Sequence, residues 1–108
     1  MRAQPDASRD ERPPAGTPVR FERERLPEPL AYYVERAGLK LIGRGRWRSA
    51  LCVFHRDENP SLRINVETGA FRCMACGAKG GDVLDFHRQR HGLSFAHAAR
   101  DLGAWRLA

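Results

Sequence analysis

Cys52-x-x-His55 and Cys73-x-x-Cys76 are two ligand pairs of like spacing, with 17 residues between them. No other feature restricts the fold of this chain as strongly. Two ligands three positions apart in a tight turn can hold one metal ion from the same side, and a second such turn completes a tetrahedral set. The intervening stretch is long enough for a β-hairpin, so the pattern reads as two knuckles brought face to face by an antiparallel sheet. With Cys52, His55, Cys73 and Cys76 all bound, one Zn2+ has no position left for water. The expected zinc is therefore structural, since a catalytic zinc keeps a position open. His87, His91 and His97 have no partner at knuckle spacing and receive no metal role.

Composition supports a metal over disulfides. The chain has three cysteines, an odd number, and its N-terminus is polar and proline-rich without an apolar leader. A reduced, cytoplasmic setting is expected from this, and no stretch approaches membrane-spanning length. Residues 1–27 contain five prolines and almost no large apolar side chains, which predicts a disordered tail. Residues 28–108 then form one small domain. A core of that size needs a staple, and structural zinc supplies on the order of 10 kcal/mol of folding energy.

The remaining elements follow from periodicity. Leu30, Tyr33, Val34 and Ala37 mark one face of a short helix between Pro29 and Gly38, and Leu39, Leu41 and Ile42 read as an extended apolar segment. In GRGRWRSALC, residues 43–52, a strand would set Arg44, Arg46 and Arg48 on one side. Trp47, Ser49 and Leu51 would face the other, with the tryptophan anchored in the core beneath an arginine ridge. Leu62, Ile64 and Val66 alternate in a second strand. Glu67, Thr68 and Gly69 suit a hairpin loop, and Phe71 points in with Arg72 out on the return strand. Asp82 and Ser94 are expected to cap two short helices ended by Gly92 and Gly103. The fold class is α+β, a small zinc ribbon flanked by short helices.

The chain carries a formal charge of +6. Between positions 40 and 79 stand eight Lys or Arg residues against Asp57, Glu58 and Glu67. A basic patch on the folded part suits an anionic partner such as nucleic acid. The candidate contacts are Arg44, Arg46, Arg48, Arg63, Arg72 and Lys79.

With these residues in view, the sequence resembles the CHC-type zinc ribbon at the N-terminus of bacterial and phage DnaG-type DNA primases. The resemblance rests on Cys52-Val53-Phe54-His55, Glu58, Pro60-Ser61, Cys73-Met74-Ala75-Cys76-Gly77, Gly80-Gly81-Asp82 and Val83 to Phe86, with Ser94-Phe95, Ala98 and Leu102 in the last helix. Val53 stands where the family has proline, and Leu62 where it has phenylalanine; both exchanges stay apolar. The family's polymerase core, with its acidic metal cluster on a Toprim fold, has no counterpart here, so this chain is not expected to join nucleotides alone. The resemblance implies binding of single-stranded template DNA and a part in choosing where primers start during replication. It also implies a primase polymerase core or a replicative helicase as protein partner. The alternative is an adaptor that docks on a replication or mobile-element protein without touching DNA.

Overall fold

The computed structural model describes residues 19–107, so residues 1–18 of the expected disordered tail lie outside the described residues. Residues 19–27 correct that expectation. Strand β1 (Val19–Phe21) pairs antiparallel with β6 (Trp105–Leu107), and a 3₁₀ turn, Arg23–Arg25, follows β1. Phe21 draws the segment in. Its ring meets Phe95 edge-on at 4.9 Å, and Phe95 meets Trp105 at 6.2 Å. Local composition cannot register a cluster whose partners lie more than seventy positions away.

Helix α1 (Pro29–Ala31) starts under the Glu28 carboxylate and widens into a π turn, Tyr32–Arg36. The Ala37 N–H reaches back five residues to the Tyr32 carbonyl at 2.8 Å. This wider winding changes which face is buried. Tyr32 and Tyr33 go in together, while Val34, expected on the apolar face, is exposed. Each buried phenol has a partner, as burial demands. Tyr33 Oη donates to the Gly69 carbonyl at 2.6 Å. Tyr32 Oη donates to His87 Nδ1 at 2.7 Å, and His87 Nε2 donates to Asp101 at 2.6 Å. Burial holds His87 below its ordinary pKa, and its hydrogen bond holds the Asp101 carboxyl low, so the pair sits as neutral imidazole and carboxylate.

The main sheet runs β2 (Trp47–Ala50), β3 (Leu62–Asn65), β4 (Phe71–Cys73), β5 (Lys79–Gly80), in that order and antiparallel throughout. One face carries Ala50, Leu62, Ile64, Phe71 and Cys73, all buried. Helix α2 (Val83–His91) lays Val83, Leu84 and Phe86 on that face. Phe86 is the centre of the core, with the Tyr33, Phe54 and Phe71 rings 4.9, 5.2 and 5.2 Å away. The expected caps and turns are present. Asp82 accepts from the Asp85 N–H, Ser94 from the His97 N–H at the start of α3 (Phe95–Asp101), and Gly92 closes α2 at φ +66°. In the β3–β4 hairpin Gly69 takes φ +87°, and the Asn65 side-chain oxygen accepts from the Glu67 and Thr68 N–H groups. Among the described residues no helix is long and apolar enough to cross a membrane.

Candidate metal centre and nucleic-acid interface

The sheet delivers the two knuckles to one point. Cys52 follows the end of β2, and Cys73 ends β4, the strand that folds back beside β3. The sulfur and nitrogen atoms of Cys52, His55, Cys73 and Cys76 all lie within 4.8 Å of one another. Cys52 Sγ and Cys76 Sγ are 3.9 Å apart, and His55 Nε2 is 3.3 Å from Cys73 Sγ. A tetrahedron with zinc–sulfur arms of about 2.3 Å has edges of about 3.8 Å, so the four donors fit one Zn2+.

Each ligand is oriented by the backbone around it. The N–H groups of Ala75 and Cys76 point at Cys73 Sγ, and that of Phe54 at Cys52 Sγ, all at 3.4 Å. His55 Nδ1 donates to the Arg56 carbonyl at 2.8 Å, which fixes the tautomer and leaves Nε2 for the metal. The thiols differ in readiness. Burial pushes Cys52 up. Burial also acts on Cys73, but the N–H groups of Cys76 and Ala75 and the His55 ring outweigh it and bring Cys73 down to about 6. Cys73 is therefore more readily ionised than Cys52.

Sequence reasoning missed Asp57. Its side chain is only 5% exposed. It accepts from the Cys52 N–H at 2.9 Å, the Ser61 N–H at 3.1 Å and Ser61 Oγ at 3.0 Å. Those donors hold its carboxyl below the usual range, the Cys52 N–H most of all. Asp57 thus ties the first knuckle to the start of β3, while neighbouring Glu58 is exposed.

The six candidate cations do not form one ridge. Arg63, Arg72 and Lys79 are cross-strand partners on the outer face of the sheet, Arg63 opposite Arg72 and Arg72 opposite Lys79. Arg63 also donates to Ser49 Oγ at 2.8 Å. Arg44 and Arg46 are exposed but lie in the bend before β2. Arg46 is 3.9 Å from Glu67. Arg48 pairs with Ile64 on the core side and turns its Nε back to the Gly45 carbonyl at 3.1 Å. The strand is therefore inverted relative to the expectation, and Trp47 is a correction with it. Trp47 is 42% exposed and shares the outer face with Ser49 and Arg63. The cause is Cys52. Buried at the knuckle, it commits Ala50 and Arg48 to the inner side, and Trp47, one step from Arg48 and so out of phase, must face outward.

Comparison with known proteins agrees with this geometry. Residues 31–106 match the family model of the DnaG zinc ribbon, the CHC2 zinc finger. The Gene 58 protein of Mycobacterium phage D29 is 43% identical over 54 residues, 50% of this chain and 41% of its own length. A DNA primase of Deinococcus radiodurans is 42% identical over 60 residues, 56% of this chain and 10% of its own. The crystal structure of the Aquifex aeolicus primase, zinc-binding and RNA polymerase domains, superposes with a TM-score of 0.55 at 30% identity, covering 65% of this chain and 17% of that one. The chain thus spans less than half of the phage relative and about a tenth of the primase. The paired knuckles, the sheet that joins them and the match over residues 31–106 place this chain in the CHC2 zinc-finger family, the zinc-binding domain of DnaG-type DNA primases.

Proposed function

We propose that this domain binds single-stranded template DNA on the outer face of its sheet and contributes to placing the start of primers. It would act with a primase polymerase core, whether on a longer chain or in trans. The observation that carries the reading is the line Arg63–Arg72–Lys79, three cations on adjacent strands with no carboxylate paired to them among the described residues. Strands lie about 4.8 Å apart, so the line is a short cationic track suited to a phosphate backbone. Trp47 lies exposed on the same face, two pairs along from Ser49 and Arg63, where its ring is open for base stacking. The structural zinc contributes rigidity, because it fixes the exits of β2 and β4 on which the track depends.

The test is fluorescence anisotropy of zinc-loaded protein on a single-stranded DNA oligomer at several salt concentrations. Binding should weaken steeply with salt. Replacing Arg63, Arg72 and Lys79 together by glutamine should lower the log–log salt slope by about 2, three contacts at roughly 0.7 each. No binding at low salt, from protein holding one zinc, would sink the proposal and favour an adaptor role.

A further inference from the structure

The cross-strand row that carries the cations continues beyond the four strands. Ile42 pairs with Ser49 across the free edge of β2, through backbone hydrogen bonds of 2.7 and 2.9 Å. The registers therefore set Lys79, Arg72, Arg63, Ser49 and Ile42 in one cross-strand row. At about 4.8 Å per step the row is about 19 Å long. Its far end opens onto a groove of about 450 Å³ between residues 38–42, the exit of β2 and the turn at Glu58 and Pro60. Ile42 and Leu51 line the groove and are 49% and 51% exposed, although both are large aliphatic side chains. Val53 and Pro60 extend the apolar wall. Its charged groups are Lys40 and Glu58, and neither has an ion pair or side-chain hydrogen bond among the described residues.

Apolar walls with a few polar groups at the rim are what a small planar ligand requires. The groove offers such a ligand two half-exposed aliphatic side chains, Ile42 and Leu51. Its position identifies the occupant. Ile42 belongs both to the cross-strand row and to the groove lining, so the groove adjoins the face that carries the cations. A strand whose phosphates follow Lys79, Arg72 and Arg63 is led into it. The apolar wall can take the face of a base. The Glu58 carboxylate can accept from an exocyclic amino group, as carboxylates do from cytosine N4, and the Lys40 ammonium can meet a phosphate. We infer that this groove holds one base of the bound single strand and that Glu58 selects an amino-bearing base over thymine. The inference rests on the template-binding reading above and names the point on that surface where sequence is read.

The experiment uses the full zinc-loaded chain. Binding is measured by anisotropy on an oligo-dT strand and on strands of equal length with one central dG, dA or dC. The wild type should prefer at least one amino-bearing strand over oligo-dT by about tenfold, the size of one charge-assisted hydrogen bond. Glu58→Gln should reduce that preference to within about twofold with an unchanged salt slope. The double variant Ile42→Ser, Leu51→Ser should weaken every strand, also with an unchanged slope. These side chains are half-exposed, and zinc content checks that the variants fold. Salt-dependent binding without any base preference, or a preference that survives Glu58→Gln, overturns the groove and leaves template binding standing. Wild-type affinity in the Ile42/Leu51 variant also overturns it. Absence of DNA binding by the wild type removes the template-binding reading itself.

Discussion

Asp57 shows how much a metal knuckle depends on a residue that never touches the metal. Its two oxygens accept three hydrogen bonds, two of them from backbone N–H groups of Cys52 and Ser61. An amide loses the charge that strengthens these bonds, since hydrogen bonds to an ionised acceptor are roughly twice as strong as neutral ones. Groups that orient a ligand are worth about 10–100-fold in metal affinity when lost. Asp57→Asn is accordingly expected to bind zinc about tenfold or more weakly, read by competition with a chromophoric chelator, while circular dichroism of the zinc-saturated protein stays unchanged. Equal affinity would show that the chain holds the knuckle without it. In the sequence, Asp57 and Glu58 are adjacent acids of equal standing. Only the path of the turn back towards β3 decides which of them is buried.

At the scale of elements, β5 is two residues long and is held as much by what packs on it as by its ladder. Gly80 pairs with Phe71, and a β-carbon at Gly80 would stand 2.5 Å from Phe71 Cε1 and 2.6 Å from Asp85 Cβ. The glycine therefore lets α2 approach the sheet. Gly80→Ala should cost about 1–3 kcal/mol, the range for overpacking a filled site, measured as a shifted denaturation midpoint of zinc-loaded protein. An unchanged midpoint would mean that α2 can move outward freely. The helices and the hairpin were legible because their caps and turns are local: Asp82, Ser94, Gly69 and Gly92 act within four residues of their own position. The sense of β2 was not, because Trp47 and the arginines alternate equally well in either phase. The buried Cys52 was the available signal, since strand parity counted back from a ligand places Arg48 inside and Trp47 outside.

For the whole molecule, the core is small for the number of elements it joins. Seventeen apolar residues are buried among the described ones, but five are alanines and two are the ligand cysteines. Ten larger side chains must therefore hold two sheets and three helices, and the strands of the main sheet have two to four residues each. Zinc joins the exits of β2 and β4, which would otherwise be fastened by β3 alone. Its binding energy, on the order of 10 kcal/mol for small zinc domains, is then the larger part of the stability. Chelation is expected to abolish the cooperative thermal transition and the near-ultraviolet dichroism of Trp47 and Trp105, and added zinc to restore both. A chelated chain that still melts cooperatively near the holo midpoint would show that the core suffices.

The sequence by itself determined the ligand set, the ribbon, the hairpin and the helix ends. Each depends on residues a few positions apart, or on a spacing that a single sheet must satisfy. The tertiary structure alone decided the rest. It folded residues 19–27 onto the C-terminal strand through Phe21, widened the first helix so that two tyrosines could reach buried partners, and buried Asp57. It also turned the outer sheet face into a line of cations ending at an apolar groove. These features share one physical cause. Packing and hydrogen bonding between segments distant in the chain select one option where local propensity leaves two.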